Sequence, residues 1–407
     1  MKKNTALYIL LSIAASALNY FAYPLLARLL PETQYVDITV SLSLMTQVSA
    51  FMSALTAVTV GITKKGGPEK DITNKLQASL LQIFTLIGLC FLALSPLILP
   101  SINTPTRYAL PIVVMIIVSI PITVVSGYLN GKGSMVKLGG VAVLTASMQF
   151  LTGGIVAAIT HNGFLTMTSM GLIQIVSLVF LVKFLNEPDM PKLGKELLTL
   201  GTYSKATRKL LVFTTVSAFA IMIINILQVY DLLLIKNFGG QDARFYTDIY
   251  VISRIVFFAG MIFIWPFLAS ISAHEAQANR RAFLKLIGVF GALALGAIVI
   301  LFFFGNVVTE LLFGKTYEIY ALRVVLSLSI LYKTFFLIIT ASCLFIIAQH
   351  SYKHIWLTFA TAAIVITVGL AATKSILAVL GGLVLASGVL ALISFLVVWL
   401  HKPSPQN

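Results

Sequence analysis

Long apolar runs separated by short polar breaks recur along the whole chain. They cover residues 6–27, 38–62, 78–99, 108–129, 138–160, 164–182, 210–234, 246–272, 284–308, 320–346, 355–373 and 376–399. Crossing ~30 Å of hydrocarbon at 1.5 Å per residue takes ~20 residues, and each run is about that long. Residues 286–304, LIGVFGALALGAIVILFFF, are apolar throughout and do not alternate. The pattern therefore predicts helices and not the strands of a barrel. An all-α polytopic membrane protein of about twelve transmembrane helices is the expected fold. The first run follows two lysines and passes Ala15-Ser16-Ala17, as a secretory leader would, yet it continues to Leu30 and is read as a retained span.

The longest polar break, residues 183–209, divides the chain into two sets of six spans. The expected organisation is a first lobe over residues 1–190, a cytoplasmic linker over 191–209 and a second lobe over 210–407. An even number of spans puts both termini on one side of the membrane. With that side cytoplasmic, nineteen of the 28 Lys and Arg residues fall in inside segments and seven outside. The positive-inside rule selects this orientation. Composition agrees: 59% hydrophobic and 10% charged residues exclude a water-soluble globule, which carries ~25% charge. The net charge of +15 is a topology signal. Its basic residues are scattered over many loops, so no nucleic-acid surface is expected. Membrane lipids are expected neighbours, with anionic headgroups favoured on the basic side. No loop is long enough to fold as a catalytic domain, and the chain is not read as an enzyme.

Six spans per half make the second half enter the membrane in the same direction as the first, which permits a parallel repeat. A sequence trace supports it. Arg28 is followed by a short turn and Tyr35-Val36-Asp37-Ile38, and Lys236 by a slightly longer turn and Tyr246-Thr247-Asp248-Ile249. Two six-helix lobes around a central cavity are the physical expectation. Asp37 and Asp248 are expected at helix starts, where the dipole favours negative charge.

An ionisable group deep in a span costs ~2.5–3.5 kcal/mol on insertion scales, so each one needs a reason. Lys333 is predicted ~18 Å into the tenth span and Arg254 ~12 Å into the eighth. Both are candidate cavity cations for an anionic headgroup, a guanidinium offering a planar fork and an ammonium a point charge. The structural alternative is an ion pair or, for Arg254, a stem that reaches the interface. Asp231 follows Asn225 and Gln228 at i, i+3, i+6 on the predicted seventh helix. That polar stripe could coordinate Na⁺ or carry a proton; the structural alternative is a salt bridge from Asp231 to Lys236 or Arg254. The histidines and cysteines lack metal-ligand spacing, so no metal site is expected.

The segment Tyr23-Pro24-Leu25-Leu26-Ala27-Arg28-Leu29-Leu30-Pro31-Glu32, with Tyr35, resembles the opening of Wzx-type polysaccharide and O-antigen flippases of the multidrug/oligosaccharidyl-lipid/polysaccharide (MOP) exporter superfamily. Tyr230-Asp231-Leu232-Leu233-Leu234-Ile235-Lys236 with Tyr246, Gly127-Tyr128-Leu129-Asn130-Gly131 and Trp265-Pro266-Phe267 are similar to further patterns of that family. Val36 and Arg244 stand where family members often carry glycine. The resemblance implies a MATE-like two-lobed fold in a bacterial cytoplasmic (inner) membrane, with both termini cytoplasmic. It implies a flippase that moves a polyprenyl-pyrophosphate-linked oligosaccharide from the inner to the outer leaflet by alternating access. Partners would be the lipid-linked glycan and other polysaccharide-assembly proteins. No cofactor is implied beyond Na⁺ or H⁺ coupling. Lipid II flippases of the same superfamily use arginines in the first and eighth spans, and Arg28 and Arg254 hold the matching positions. Arg28, at the outer edge of its span, reads equally as an interfacial anchor. The alternatives are a cation-coupled multidrug exporter of the same superfamily, which would want acids at the cavity centre, and a membrane-embedded glycan polymerase or acyltransferase, which would want a long outer loop.

Overall fold

Among the described residues the predicted apolar runs lie in helices, one of them broken, and most helices extend past the run that nucleates them. The computed structural model describes residues 2–46, 69–101, 103–185, 205–270, 276–348, 352–371 and 375–400. Residues 191–204 of the expected linker and 47–62 of the second span lie outside the described residues. The helices among the described residues are α1 (Lys2–Leu29), α2 (residues 32–46), α3 (Glu69–Ser101), α4 (Ala109–Gly131), α5 (Met135–Thr160), α6 (Gly163–Leu185), α7 (Lys205–Gln228), α8 (Tyr230–Lys236), α9 (Gly240–Ser270), α10 (Ala276–Phe313), α11 (Ile319–Ala348), α12 (Lys353–Ala371) and α13 (Ile376–Leu400). A single 3₁₀ turn, Thr106–Tyr108, precedes α4. Nine helices among the described residues are long and apolar enough to cross a membrane, and α7 with α8 forms a tenth, bent span. This is the all-α polytopic architecture expected, with one difference: the predicted seventh helix is broken.

By packing, the chain divides into Met1–Ala218 and Phe219–Asn407, the boundary lying within α7. In the first unit, α5 packs between α1 and α6, and α4 lies against α3 and α6. Small residues permit the close approach. A Cβ on Gly154 would stand 2.8 Å from Leu25 of α1, and one on Gly153 would stand 3.1 Å from Met170 of α6. One end of this unit gathers the C-termini of α1 and α5 with the N-termini of α2, α4 and α6. There His161 Nδ1–H donates to the Leu29 carbonyl at 2.8 Å, and the Gly163 amide donates to Gln34 Oε1 at 2.6 Å. Asn162 Oδ1 caps α6 by accepting from the amides of Phe164 and Leu165. Tyr108 packs edge-on against Phe164. Consecutive helices thus run in alternating directions, as short membrane connections demand.

In the second unit, α11 is the central helix, flanked by α9, α10, α12 and α13, while α8 rests on α9 and α13. Gly260 of α9 faces Leu337 of α11 so closely that a Cβ there would overlap it. At one end, Phe267, Phe283, Phe345 and Phe395 stack successively and tie α9, α10, α11 and α13 together. At the other, Tyr317, in the link between α10 and α11, donates to Asp248 Oδ2 at 2.6 Å. Arg244 Nε lies 3.3 Å from the same oxygen. Asn306 holds both backbone groups of Tyr317, at 3.1 and 3.2 Å.

These contacts correct the expected roles of Asp37 and Asp248. Helix α9 starts at Gly240 and α2 at residue 32, so neither aspartate begins a helix. Asp248 is instead a buried anchor for the loop tyrosine Tyr317. In the first unit Asp37 lies within electrostatic reach of Tyr108, again a tyrosine just ahead of the fourth span of its lobe, but the Tyr108 hydroxyl makes no hydrogen bond among the described residues. The Tyr-x-Asp-Ile repeat therefore marks equivalent positions in both units.

Candidate functional site

The break at Val229 builds the site. Val229 has φ −102° and ψ 5°, and its amide bonds to Ile226 O in a tightened last turn. The chain bends there by 42°. A helix that stops leaves its final carbonyls without intrahelical partners, and in hydrocarbon water cannot supply them. Two neighbouring side chains of α11 do. Tyr332 Oη donates to Leu227 O at 2.6 Å and Lys333 Nζ donates to Gln228 O at 2.5 Å.

Lys333 also donates to Asp231 Oδ2, in the first turn of α8, at 2.6 Å. Both side chains are 0% exposed. The same carboxylate oxygen accepts from Tyr246 Oη of α9 at 2.5 Å, and Tyr246 lies 3.5 Å from Ser329 Oγ. Ser329 donates in turn to Ser253 at 2.8 Å. Lys333, Asp231, Tyr246, Ser329 and Ser253 thus form one polar thread through α8, α9 and α11. Asp231 Oδ1 carries no hydrogen bond among the described residues. An aromatic wall completes the setting. The Lys333 ammonium stands 4.6 Å from the Tyr250 ring centre and 4.9 Å from that of Tyr332. Arg254 shares the Tyr250 ring at 5.4 Å and adds Phe258 at 4.8 Å.

Of the six residues singled out from sequence, four meet around this break: Lys333, Asp231, Gln228 and Arg254. Their roles differ from the simplest expectation. Asp231 pairs with Lys333, and not with Lys236 or Arg254 as the structural alternative had it. The stripe Asn225, Gln228, Asp231 is not one helix face, because Val229 interrupts it: Asn225 turns its amide back to Ile221 O at 2.8 Å, and Gln228 contributes its carbonyl to Lys333. Arg254 is the fifteenth of 31 residues in α9 and only 2% exposed, its guanidinium lying against Tyr250 and Phe258. Arg28 is exposed in the last turn of α1. Sequence reasoning did not assign Tyr246, Tyr332, Ser253 and Ser329 to the site. Tyr246 stood in a recognised motif, but nothing in the pattern reveals that a helix break frees carbonyls for α11 to cap.

Among the described residues, the buried charged side chains of the second unit are Lys236, Arg244, Arg254 and Lys333 against Asp231 and Asp248; the first unit has none. The second unit thus keeps an excess of buried positive charge.

No family model and no curated protein matches this chain. Its fold is similar to solved structures over nearly its whole length. One is an inward-facing multidrug resistance MATE family transporter of the MOP superfamily, with TM-score 0.69 and 14% identity, covering 96% of each chain. Another is an outward-facing transporter of that description, with TM-score 0.63 and 15% identity, covering 97% of this chain and 93% of that one. A third is a MOP superfamily transporter from Pyrococcus furiosus, described as having a binding pocket of reversed polarity, with TM-score 0.64 and 15% identity, covering 97% and 94%. The chain therefore has the two-lobed, all-helical fold of the MATE-like transporters.

Proposed function

We propose that this protein is a membrane transporter of the MOP type, acting as a flippase for a polyprenyl-pyrophosphate-linked oligosaccharide. The observation that carries this reading is the net positive charge buried in the second unit. A buried cation is expensive, and two of them, Arg254 and Lys333, stand near the middle of their helices with a single nearby carboxylate. A carrier for organic cations gains nothing from that arrangement, whereas a pyrophosphate does. The cargo moves by alternating access, from the inner to the outer leaflet of a bacterial cytoplasmic membrane, with both termini of the protein cytoplasmic. No bond is made or broken. The headgroup competes with Asp231 for the Lys333 ammonium, and Arg254 supplies the second cation. Asp231, once released, has Oδ1 open to a proton or a Na⁺ ion, which couples transport to a cation gradient. Arg28, at the end of α1, contacts the headgroup at the outer rim. Other polysaccharide-assembly proteins supply and consume the cargo.

A second reading, export of cationic drugs, is favoured by the likeness of the fold to two multidrug resistance transporters. One experiment separates them. The purified protein is reconstituted in proteoliposomes and given either a fluorescent polyprenyl-pyrophosphate saccharide or a lipophilic dye cation. Headgroup translocation by the wild type that falls at least tenfold in Arg254→Ala, with no dye transport, is the expected result. Dye transport without saccharide translocation overturns the flippase reading.

A further inference from the structure

The 38 residues of α10 span about 57 Å at 1.5 Å per residue, more than the ~40–45 Å of a bilayer with its headgroups. At least one end therefore stands in the headgroup layer. The N-terminal end carries Arg280, Arg281 and Lys285, immediately before the apolar run of residues 286–304. Trp399, at the end of α13, gives the depth independently. Trp399 is 36% exposed and its ring centre lies 5.6 Å from the Arg280 guanidinium, and tryptophan favours the membrane–water boundary.

Arg281 and Lys285 are four residues apart and both exposed, so they share one face of α10. Below them the same face continues through Leu284, Leu295 and Val299, all exposed. Between lie Gly288 and Ala292, and a Cβ at Gly288 would meet nothing within 4 Å. The surface is a cation pair above an open apolar track. No acidic residue occupies the first turn of α10, and cations gain nothing from that end of a helix dipole. Neither Arg281 nor Lys285 has an ion-pair partner among the described residues. Nε of Arg280 is buried without a hydrogen-bond acceptor among the described residues.

We infer that this face of α10 is a binding site for an anionic phospholipid, whose phosphate sits on Arg281 and Lys285 and whose acyl chain follows Gly288 to Val299. The positive-inside rule explains why basic residues occupy this side of the membrane. It does not explain a matched pair set above an acyl-wide track. The site depends only on the protein being embedded in a bilayer and stands apart from the flippase reading.

The chain has three tryptophans, so Trp265→Phe with Trp356→Phe leaves Trp399 as the only indole fluorophore. This variant is reconstituted in vesicles of phosphatidylcholine that contain either brominated phosphatidylglycerol or brominated phosphatidylcholine, and quenching of Trp399 is titrated. Phosphatidylglycerol should quench at lower mole fraction. R281Q with K285Q, which changes two exposed side chains, should erase that preference by roughly fivefold for each cation removed. Equal quenching by the two lipids, or a preference that survives the double substitution, overturns the proposal. Inorganic phosphate at constant ionic strength should leave the quenching unchanged. If it relieves quenching more than chloride does, the site takes free phosphate, and the lipid assignment fails.

Discussion

Removing the Lys333 ammonium tests the construction of the helix break directly. In Lys333→Met the apolar stem is kept, but Gln228 O loses its donor and Asp231 keeps only the Tyr246 hydroxyl. Both partners of the lost ion pair are 0% exposed, so water does not replace it. Breaking such a pair costs about 3–5 kcal/mol, most of it the penalty of a stranded charge. For a unit the size of Phe219–Asn407, 1 kcal/mol moves Tm by roughly 2–4 °C, which puts the expected fall at roughly 6–20 °C. Asp231→Asn is expected to cost less, because Lys333 retains the Gln228 carbonyl. In the double variant neither charge remains, and most of the loss returns apart from the ~1.5–3 kcal/mol of the charged hydrogen bond to Gln228. Intrinsic-fluorescence unfolding of the four proteins in detergent closes the double-mutant cycle. A double variant that falls by the sum of the two single ones would show that the side chains do not interact, and the site would have to be redrawn.

Tyr246→Phe removes one donor from Asp231 and the link to Ser329, and should lower Tm by a few degrees in the same unfolding assay while leaving the Lys333 pair intact. Gly260→Val drives a branched side chain into Leu337 and should cost about 1–3 kcal/mol through overpacking of α9 against α11, whereas Gly288→Val, where nothing lies within 4 Å, should be close to neutral. Burial, reinforced by the Asp248 carboxylate and its hydrogen bond and opposed by Arg244, holds the Tyr317 phenol well above its ordinary value. The stability this contributes is complete below about pH 10 and is lost as pH rises further. Tyr317→Phe should flatten the alkaline limb of a Tm–pH profile. Glu318 is held below the usual carboxylate range by the amides of Ala321 and Tyr320 at the start of α11. Its contribution is present at neutral pH and lost as pH falls through that lowered value, so Glu318→Gln should blunt the acid limb.

Hydrophobic patterning made the spans legible because a bilayer forbids unsatisfied backbone, so an apolar run of sufficient length has few structures open to it. It located Lys333 and Asp231 as charges needing a reason, and the structure pairs them. Two features stayed hidden. Helix ends were set short, because polar residues such as Gln241 and Asp242 continue a helix outside hydrocarbon without any apolar signal. That moved Arg254 from near an edge to mid-helix. The break at Val229 was equally silent, since valine is neither a glycine nor a proline and Ile226 to Ile235 reads as one apolar helix. Only α11, more than a hundred residues later, supplies the hydroxyl and ammonium that make the break affordable in a membrane.

The repeat gives that dependence a direction. Aligning the two Tyr-x-Asp-Ile segments and the tyrosines ahead of the fourth spans places Ser43 opposite Arg254, Thr39 opposite Tyr250 and Val124 opposite Lys333. Counting back from Arg28 and Lys236 places Tyr23 opposite Asp231. Tyr108 and Tyr317 hold matching places ahead of the fourth spans, but every charged member of the cluster has an uncharged counterpart in the first unit. Charge was therefore not needed to build a six-helix lobe of this kind. Among the described residues the first unit has no such break, α1 running without interruption from Lys2 to Leu29, so it frees no carbonyls for a cation to cap. Charge in the second unit therefore goes with two things the first unit lacks, the helix break that Lys333 caps and, under the proposed function, the anionic cargo assigned to Arg254 and Lys333.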